Sequence, residues 1–501
     1  MSDSLLSQDV LLKMSARDVL PANSQIRSQA SSVYVRRYEV NRPATNGSEF
    51  QPNSEIRFRL SSGGAGCVPS SMAIRMKIRT TDSAVNPSQY AFDSHPALAV
   101  VGRLRSFVAG GKVVDDISYN NNLTHCLLQA DAGKDWCNGS GGIMLGTWKR
   151  NPTFMPSDHT QADATGLVQE AEDSVFTRIE HACGQHEAGI DVVLPLSALG
   201  CGLCTQQTIL PMRGLGLVEF VLNVSSVQKA IAACRTGGVL PVGPSPSFVI
   251  ENPTLTCDFV DFSSDYTRLL DAVFAGPQGL RMPIRTWNVQ AQSNAIAAAP
   301  SSKDFVYSAA YRNVEDMLMW KTHNVDDVLP VPSANINSNT AQFSLSTQRC
   351  GVQSSWRMSV SGRLYPNYDA ITNPPDQFYH NQKALAAMSG YNTTAGCSDV
   401  SSFANVKAPI TEGAGYSGVA TTYSAATPLV GNYFMLQSFQ NARESSNVNI
   451  DGADLSIAGS VIRVTVTDET NGSGAASETM YLATRHVRLL TLANGELSVE
   501  F

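Results

Sequence analysis

Five hundred and one residues exceed one ordinary domain and can bury a large core without a disulfide or metal staple. Charged residues make up 16%, against roughly 25% in typical soluble proteins, while hydrophobic residues make up 43% and the net charge is -7. These values exclude a disordered polyelectrolyte, a collagen-like or low-complexity chain, and a globally basic protein that grips nucleic acid through its overall field.

Residues 1–30 carry two short apolar patches, Leu5, Leu6, Val10, Leu11, Leu12 and Met14, then Val19 and Leu20, within polar sequence. Asp3 stands where a secretory leader carries positive charge, and no apolar run follows, so synthesis inside the cell without secretion is expected. Leu5, Val10 to Leu12 and Met14 can share one broad helical face, which predicts an N-terminal arm that docks through apolar contact.

From there the pattern is β. Residues 32–40 interleave β-branched and aromatic side chains with charge, and residues 55–60 and 72–79 alternate apolar with basic side chains. A period of two puts one face on a core and leaves Arg57, Arg59, Arg75 and Arg79 on a solvated or subunit-facing face. Residues 104–115 read as a hairpin turning at Gly110-Gly111, where both central residues need positive φ. Further strands are expected at 216–224, 247–250, 255–260, 356–362, 455–467 and 480–501. Helices are few: 265–274, capped by Ser263-Ser264, and 377–388.

Two strand-rich blocks, 31–262 and 284–501, flank a junction at 263–283 that contains Gly276-Pro277. Loops of some 40 residues at 131–173 and 392–432 are rich in Gly, Ser, Thr and Asn, as loops packed against neighbouring chains tend to be. No internal sequence repeat is visible, so any duplication would be structural only. Two large antiparallel β units follow, and a pair of jelly rolls is one established form.

Catalytic signals are negative. Gly110-Gly111-Lys112 lacks both the leading Gly and the Ser or Thr after Lys that a phosphate cradle needs. Gly415-Tyr416-Ser417-Gly418 places Gly one position early for a nucleophile elbow, and Asp451 to Asp454 offers too few oxygens for a calcium loop. The ten cysteines are scattered, and in a reducing compartment they read as small buried hydrophobes. One constellation has ligand chemistry: His181, Cys183 and His186 precede Cys201-Gly-Leu-Cys204, and two thiolates with an earlier His or Cys could hold zinc. The apolar surroundings of Cys201 and Cys204 favour core packing, so no metal, cofactor or catalytic residue is assigned. Arginines at strand period do not form a nucleic-acid groove, and there is no arginine-rich tail.

Three blocks carry a resemblance. The stretch Phe92-Asp93-Ser94, then Val101 through the Gly110-Gly111 turn to Asp115, Asp116, Tyr119 and Asn120, resembles a segment of double jelly-roll major capsid proteins. These form the shells of double-stranded DNA viruses such as polinton-like viruses, virophages and large algal viruses. Pro195-Leu196-Ser197, Leu210-Pro211 and the strand at 217–222 are similar to a second block of that family, and Trp356 to Tyr365-Pro366 to a third. Order and spacing match from about residue 30 to 501. The resemblance implies an all-β fold of two consecutive jelly rolls with long loops, three chains closing a pseudo-hexameric ring that tiles an icosahedral shell. It implies no enzyme activity and no cofactor. Its partners would be copies of the chain and minor or penton capsid proteins, with the arm able to reach an inner membrane.

Alternatives come from other classes. A minor or vertex capsid protein usually has one roll, which two halves disfavour. A sugar-binding β-sandwich would use Trp136, Trp148 and Trp287, and a β-sandwich hydrolase would use His181 or His186 as base without a recognisable nucleophile.

Overall fold

Apolar–polar alternation builds most of the strands. In Glu55–Leu60, Ile56, Phe58 and Leu60 are buried while Arg57 and Arg59 are exposed, as the period of two requires. A computed structural model describes residues 34–61, 65–80, 90–92, 95–131, 140–146, 177–178, 189–206, 209–233, 247–277, 279–295, 301–308, 310–323, 347–348, 353–365, 374–389, 430–431, 433–439, 452–456, 460–468 and 477–500.

The first eight major strands are β1 (Tyr34–Pro43), β2 (Glu55–Leu60), β3 (Gly66–Thr80), β4 (Val101–Val108), β5 (Lys112–Ser118), β6 (Ile190–Pro195), β7 (Val218–Val224) and β8 (Phe248–Phe262). They form two antiparallel sheets in the orders β1-β8-β3-β6 and β2-β7-β4-β5. The next eight are β9 (Leu280–Ala295), β10 (Ser301–Ser308), β11 (Val314–His323), β12 (Gln353–Val360), β13 (Arg363–Tyr365), β14 (Met435–Ser438), β15 (Val461–Asp468) and β16 (Ser477–Ala493). Their sheets run β9-β16-β11-β14 and β10-β15-β12-β13, and a last strand, β17 (Glu496–Glu500), pairs with β16. Counted within each set, the order is the same twice: 1-8-3-6 facing 2-7-4-5. That is the double Greek key of a jelly roll, and the chain contains two. The duplication is structural, without a sequence repeat.

Among the described residues three helices are the longest. α1 (Asn120–Asp131) and α3 (Pro374–Ser389) occupy the same place in the two rolls, after the fifth strand, and α2 (Ser264–Ala275) joins the rolls. The Ser263 hydroxyl caps α2 by accepting from the Tyr266 amide at 3.4 Å, as its sequence predicts. α1 falls just before the expected 131–173 loop. Its run of three asparagines reads as a breaker, yet burial makes them useful: Asn120 donates to the Leu199 carbonyl at 2.7 Å and Asn121 to Ser225 Oγ at 3.1 Å.

Several expectations change at the C-terminal end. The strand expected at 455–467 begins only at Val461; Leu455 instead sits in a separate segment, buried, its amide bonded to the Tyr311 carbonyl. The strand expected at 480–501 is a hairpin, because Asn494 and Gly495 take φ of +54° and +75° and turn the chain. The Gly110-Gly111 turn holds, with φ of +80° and +96°. The 415–418 segment and most of both long loops lie outside the described residues.

Burial explains why β11 was not assigned from the sequence. Residues 314–322 are buried without alternation, because both faces are covered. Met317 and Met319 enter the second roll's own core with Phe305, Trp356, Met358 and Val464. Leu318 and Trp320 enter a larger cluster shared with the first roll. The two rolls therefore meet in a buried seam.

Candidate functional site

The seam is built from the fifth strand of the first roll and the 196–215 segment, laid against β9, β16 and β17 of the second. Ile284, Trp287, Leu490, Leu492 and Leu497 belong to the same apolar cluster as the first roll's core. Along its length runs an aromatic stack: Trp320 lies parallel to Tyr481 at 5.2 Å, and Tyr119 of the first roll meets Tyr481 edge-on at 5.1 Å.

Within this apolar contact lies Asp115 of β5, fully buried. Its carboxylate accepts from Ser106 Oγ at 2.5 Å, the Gly202 amide at 2.9 Å and Thr286 Oγ1 at 2.6 Å. The Cys201 thiol at 3.4 Å and the Leu203 amide at 3.5 Å complete the cage. Thr286 belongs to the second roll, so the cage closes only when the rolls meet. Beside it, Arg488 Nη1 donates to the Val114 carbonyl at 2.8 Å and to that of Val113 at 3.3 Å, again across the seam. Arg488 Nε also donates to His486 Nε2 at 3.4 Å, and the His486 ring stacks on Tyr311 at 4.2 Å. Burial, then the Arg488 charge, holds the His486 imidazole down to about 3, so it is neutral.

A second ionic cluster lies on β9, β11 and β16. Glu315 accepts from Arg285 Nε at 2.9 Å and pairs with Arg485 Nε at 3.2 Å, while Arg485 also pairs with Asp316. Both carboxylates are buried, and burial raises the Asp316 carboxyl above the usual range.

Cys201 and Cys204 are buried in the apolar segment, as expected. Cys201 faces Asp115, and Cys204 Sγ lies 3.5 Å from Met72 Sδ. Burial pushes both thiols up. His181, Cys183 and His186 lie outside the described residues, as do Trp136 and Trp148; among the described residues no metal-ligating group of three exists. Trp287, the remaining candidate for a sugar site, is buried in the seam. Sequence reading missed Asp115, Thr286, Arg285, Glu315, Asp316, Arg485 and Arg488 as a group. Burial marks Asp115, Thr286, Glu315, Asp316 and Arg488, and it comes from segments packed against them that the local pattern does not show.

The outer faces differ between the rolls. On the first, the sheet containing β1, β8 and β3 carries a lattice of ion pairs, exposed at Arg37–Asp258 (2.5 Å) and Arg75–Glu39 (3.3 Å) and half-buried at Arg79–Glu251 (2.6 Å). The one face expected for Arg57, Arg59, Arg75 and Arg79 divides between two sheets: Arg75 and Arg79 lie on β3 in this sheet, and Arg57 and Arg59 on β2 in the other, where Glu55 and Glu219 pair with them. On the second roll, β13 leaves Leu364 exposed, and Val306 and Val461 stand exposed on the same sheet.

No family model matches the sequence, and no curated protein matches it. Solved structures match over nearly the whole chain. The Faustovirus major capsid protein aligns with a TM-score of 0.55 and 9% identity over 98% of each chain. The crystal structure of the mavirus major capsid protein aligns at 0.55 with 12% identity, over 92% of this chain and 90% of that one. A chain of the Sputnik virophage structure aligns at 0.53 with 13% identity, over 94% and 89%. At such identities the likeness shows the fold, a double jelly roll.

Proposed function

We propose that this chain is a major capsid protein of a double-stranded DNA virus, three copies of which close a pseudo-hexagonal ring that tiles the virion shell. One observation carries the reading: the chain holds the same eight-strand unit twice and already shows how one unit docks on the next. The first roll presents its fifth strand, β5, to the first and eighth strands of the second, β9 and β16. The equivalent strand of the second roll, β13, is left exposed, and so is the outer face of β1 and β8. Repeating the in-chain contact between chains uses both, and six rolls close a ring. The full-length likeness to the Faustovirus and mavirus major capsid proteins supports the same reading. Minor or penton capsid proteins are its further partners, and the arm at residues 1–30 docks on one of them, on a neighbouring subunit or on an inner membrane.

Native mass spectrometry tests this. Three times 53.7 kDa, about 161 kDa, is expected, with a near-hexagonal outline by electron microscopy. A 53.7 kDa monomer at micromolar concentration overturns it.

A further inference from the structure

We propose that the Asp115 cage selects the register between the two rolls. The seam's apolar contacts bury area but discriminate poorly between positions. A strand lying along a sheet can slide by two residues and still present apolar side chains to apolar side chains. A buried carboxylate cannot slide. Ser106, Cys201, Gly202 and Leu203 donate to it from its own roll, and Thr286 Oγ1 at 2.6 Å is the donor that the second roll brings, so a slid second roll would set another residue of β9 against the buried carboxylate and leave the Thr286 hydroxyl without its acceptor. Arg488 makes the same demand with opposite sign, since its guanidinium is aimed at the Val113 and Val114 carbonyls.

Such a polar cage adds little net stability over an apolar contact of the same volume, but it makes one arrangement far better than its neighbours. The chain thereby holds its rolls at one angle and height. This role does not depend on the proposed capsid function, although a shell of many copies would need it.

The test separates stability from uniqueness. The variant Ser106→Ala/Asp115→Leu/Thr286→Val removes the carboxylate and both hydroxyls while keeping volume close. Spin labels are introduced at the exposed Arg59 and Val306 through a ketone-bearing amino acid, which spares the native thiols, and read by double electron–electron resonance. The wild-type chain, labelled and then diluted with unlabelled chain so that intra-chain distances dominate, should give one narrow distance distribution. The triple variant should still melt cooperatively, at a temperature lowered because the Gly202 and Leu203 amides lose their acceptor, and give a broad or multiple distribution. A single narrow distribution in the folded triple variant overturns the proposal, because Arg488 and apolar packing would then set the register without the cage.

If the triple variant does not fold, Thr286→Val alone decides. It removes the second roll's hydroxyl from the cage and nothing else. Amides of residues 113–118 and 200–204 should then exchange roughly tenfold faster, as losing a hydrogen bond to a charged group implies, with β7 and β15 unchanged. Unchanged exchange at the seam, or uniform acceleration everywhere, overturns the proposal. Wild-type protein that stays monomeric counts against the capsid function but leaves this inference standing.

Discussion

Gly202 shows how closely the rolls approach. A Cβ added there would sit 2.4 Å from the Arg285 carbonyl oxygen and 2.8 Å from Asp115 Oδ1. Gly202→Ala should therefore cost roughly 1–3 kcal/mol through forced separation at the seam. A thermal melt reads the loss, and limited proteolysis between the rolls locates it. His486 sets a pH dependence. Its folded-state value is about 3, against about 6.5 unfolded, so below pH 6.5 the unfolded chain takes up a proton that the folded chain refuses. Its contribution is complete above about pH 6.5 and is lost as pH falls toward 3, at about 1.4 kcal/mol per unit. Chemical denaturation at pH 7 and pH 4 should show a smaller difference for His486→Gln than for wild type. Equal differences would mean that the ring does not titrate in this range.

Two kinds of ion pair occur on the sheets, and their surroundings decide their worth. The β1-β8-β3 lattice is wet: the Arg75 side chain is 57% exposed and Glu39 47%. Arg75→Ala should cost under about 1 kcal/mol, because water already solvates both partners. Arg485 faces carboxylates that are at most 1% exposed. Arg485→Met strands two buried anions with Arg285 as the remaining partner, and a loss of about 3–5 kcal/mol is expected. Urea titration of the two variants side by side checks the contrast. The same logic accounts for the element that carries the buried pair: β11 tolerates Glu315 and Asp316 between apolar neighbours only because β9 and β16 bring arginines to them.

At the scale of the whole molecule, the jelly-roll order fixes which connections share an end. Strand direction alternates, so the connections at 81–100, 119–189, 324–352 and 366–434 all leave from one end of the two sandwiches. The start of β1 and the turn between β4 and β5 lie at the other. In a shell, one end faces out and the other in. β1 begins at the end opposite the long connections, so under the proposed function an arm at residues 1–30 would leave from that end. Deleting residues 2–25 should leave a trimer with an unchanged melting temperature and impair shell assembly. Normal shells in equal yield from the truncated chain would reduce the arm to a tail.

Local chemistry wrote much of this fold into the sequence. Alternation set the strands at 55–60 and 72–79, Gly110-Gly111 set a turn through its positive φ, and Ser263 set a helix start. These depend on a residue and its near neighbours. The Asn494-Gly495 hairpin was equally local and was passed over inside an apolar run. What only the tertiary structure decided is everything made by two rolls meeting. β11 is buried on both faces, so its period of two vanishes. Asp115 reads as an ordinary acidic residue until Cys201, Gly202 and Thr286, 86 to 171 positions away, are brought to it. A side chain's spacing tells which face it occupies; what covers that face is settled by contacts between distant segments, which spacing does not encode.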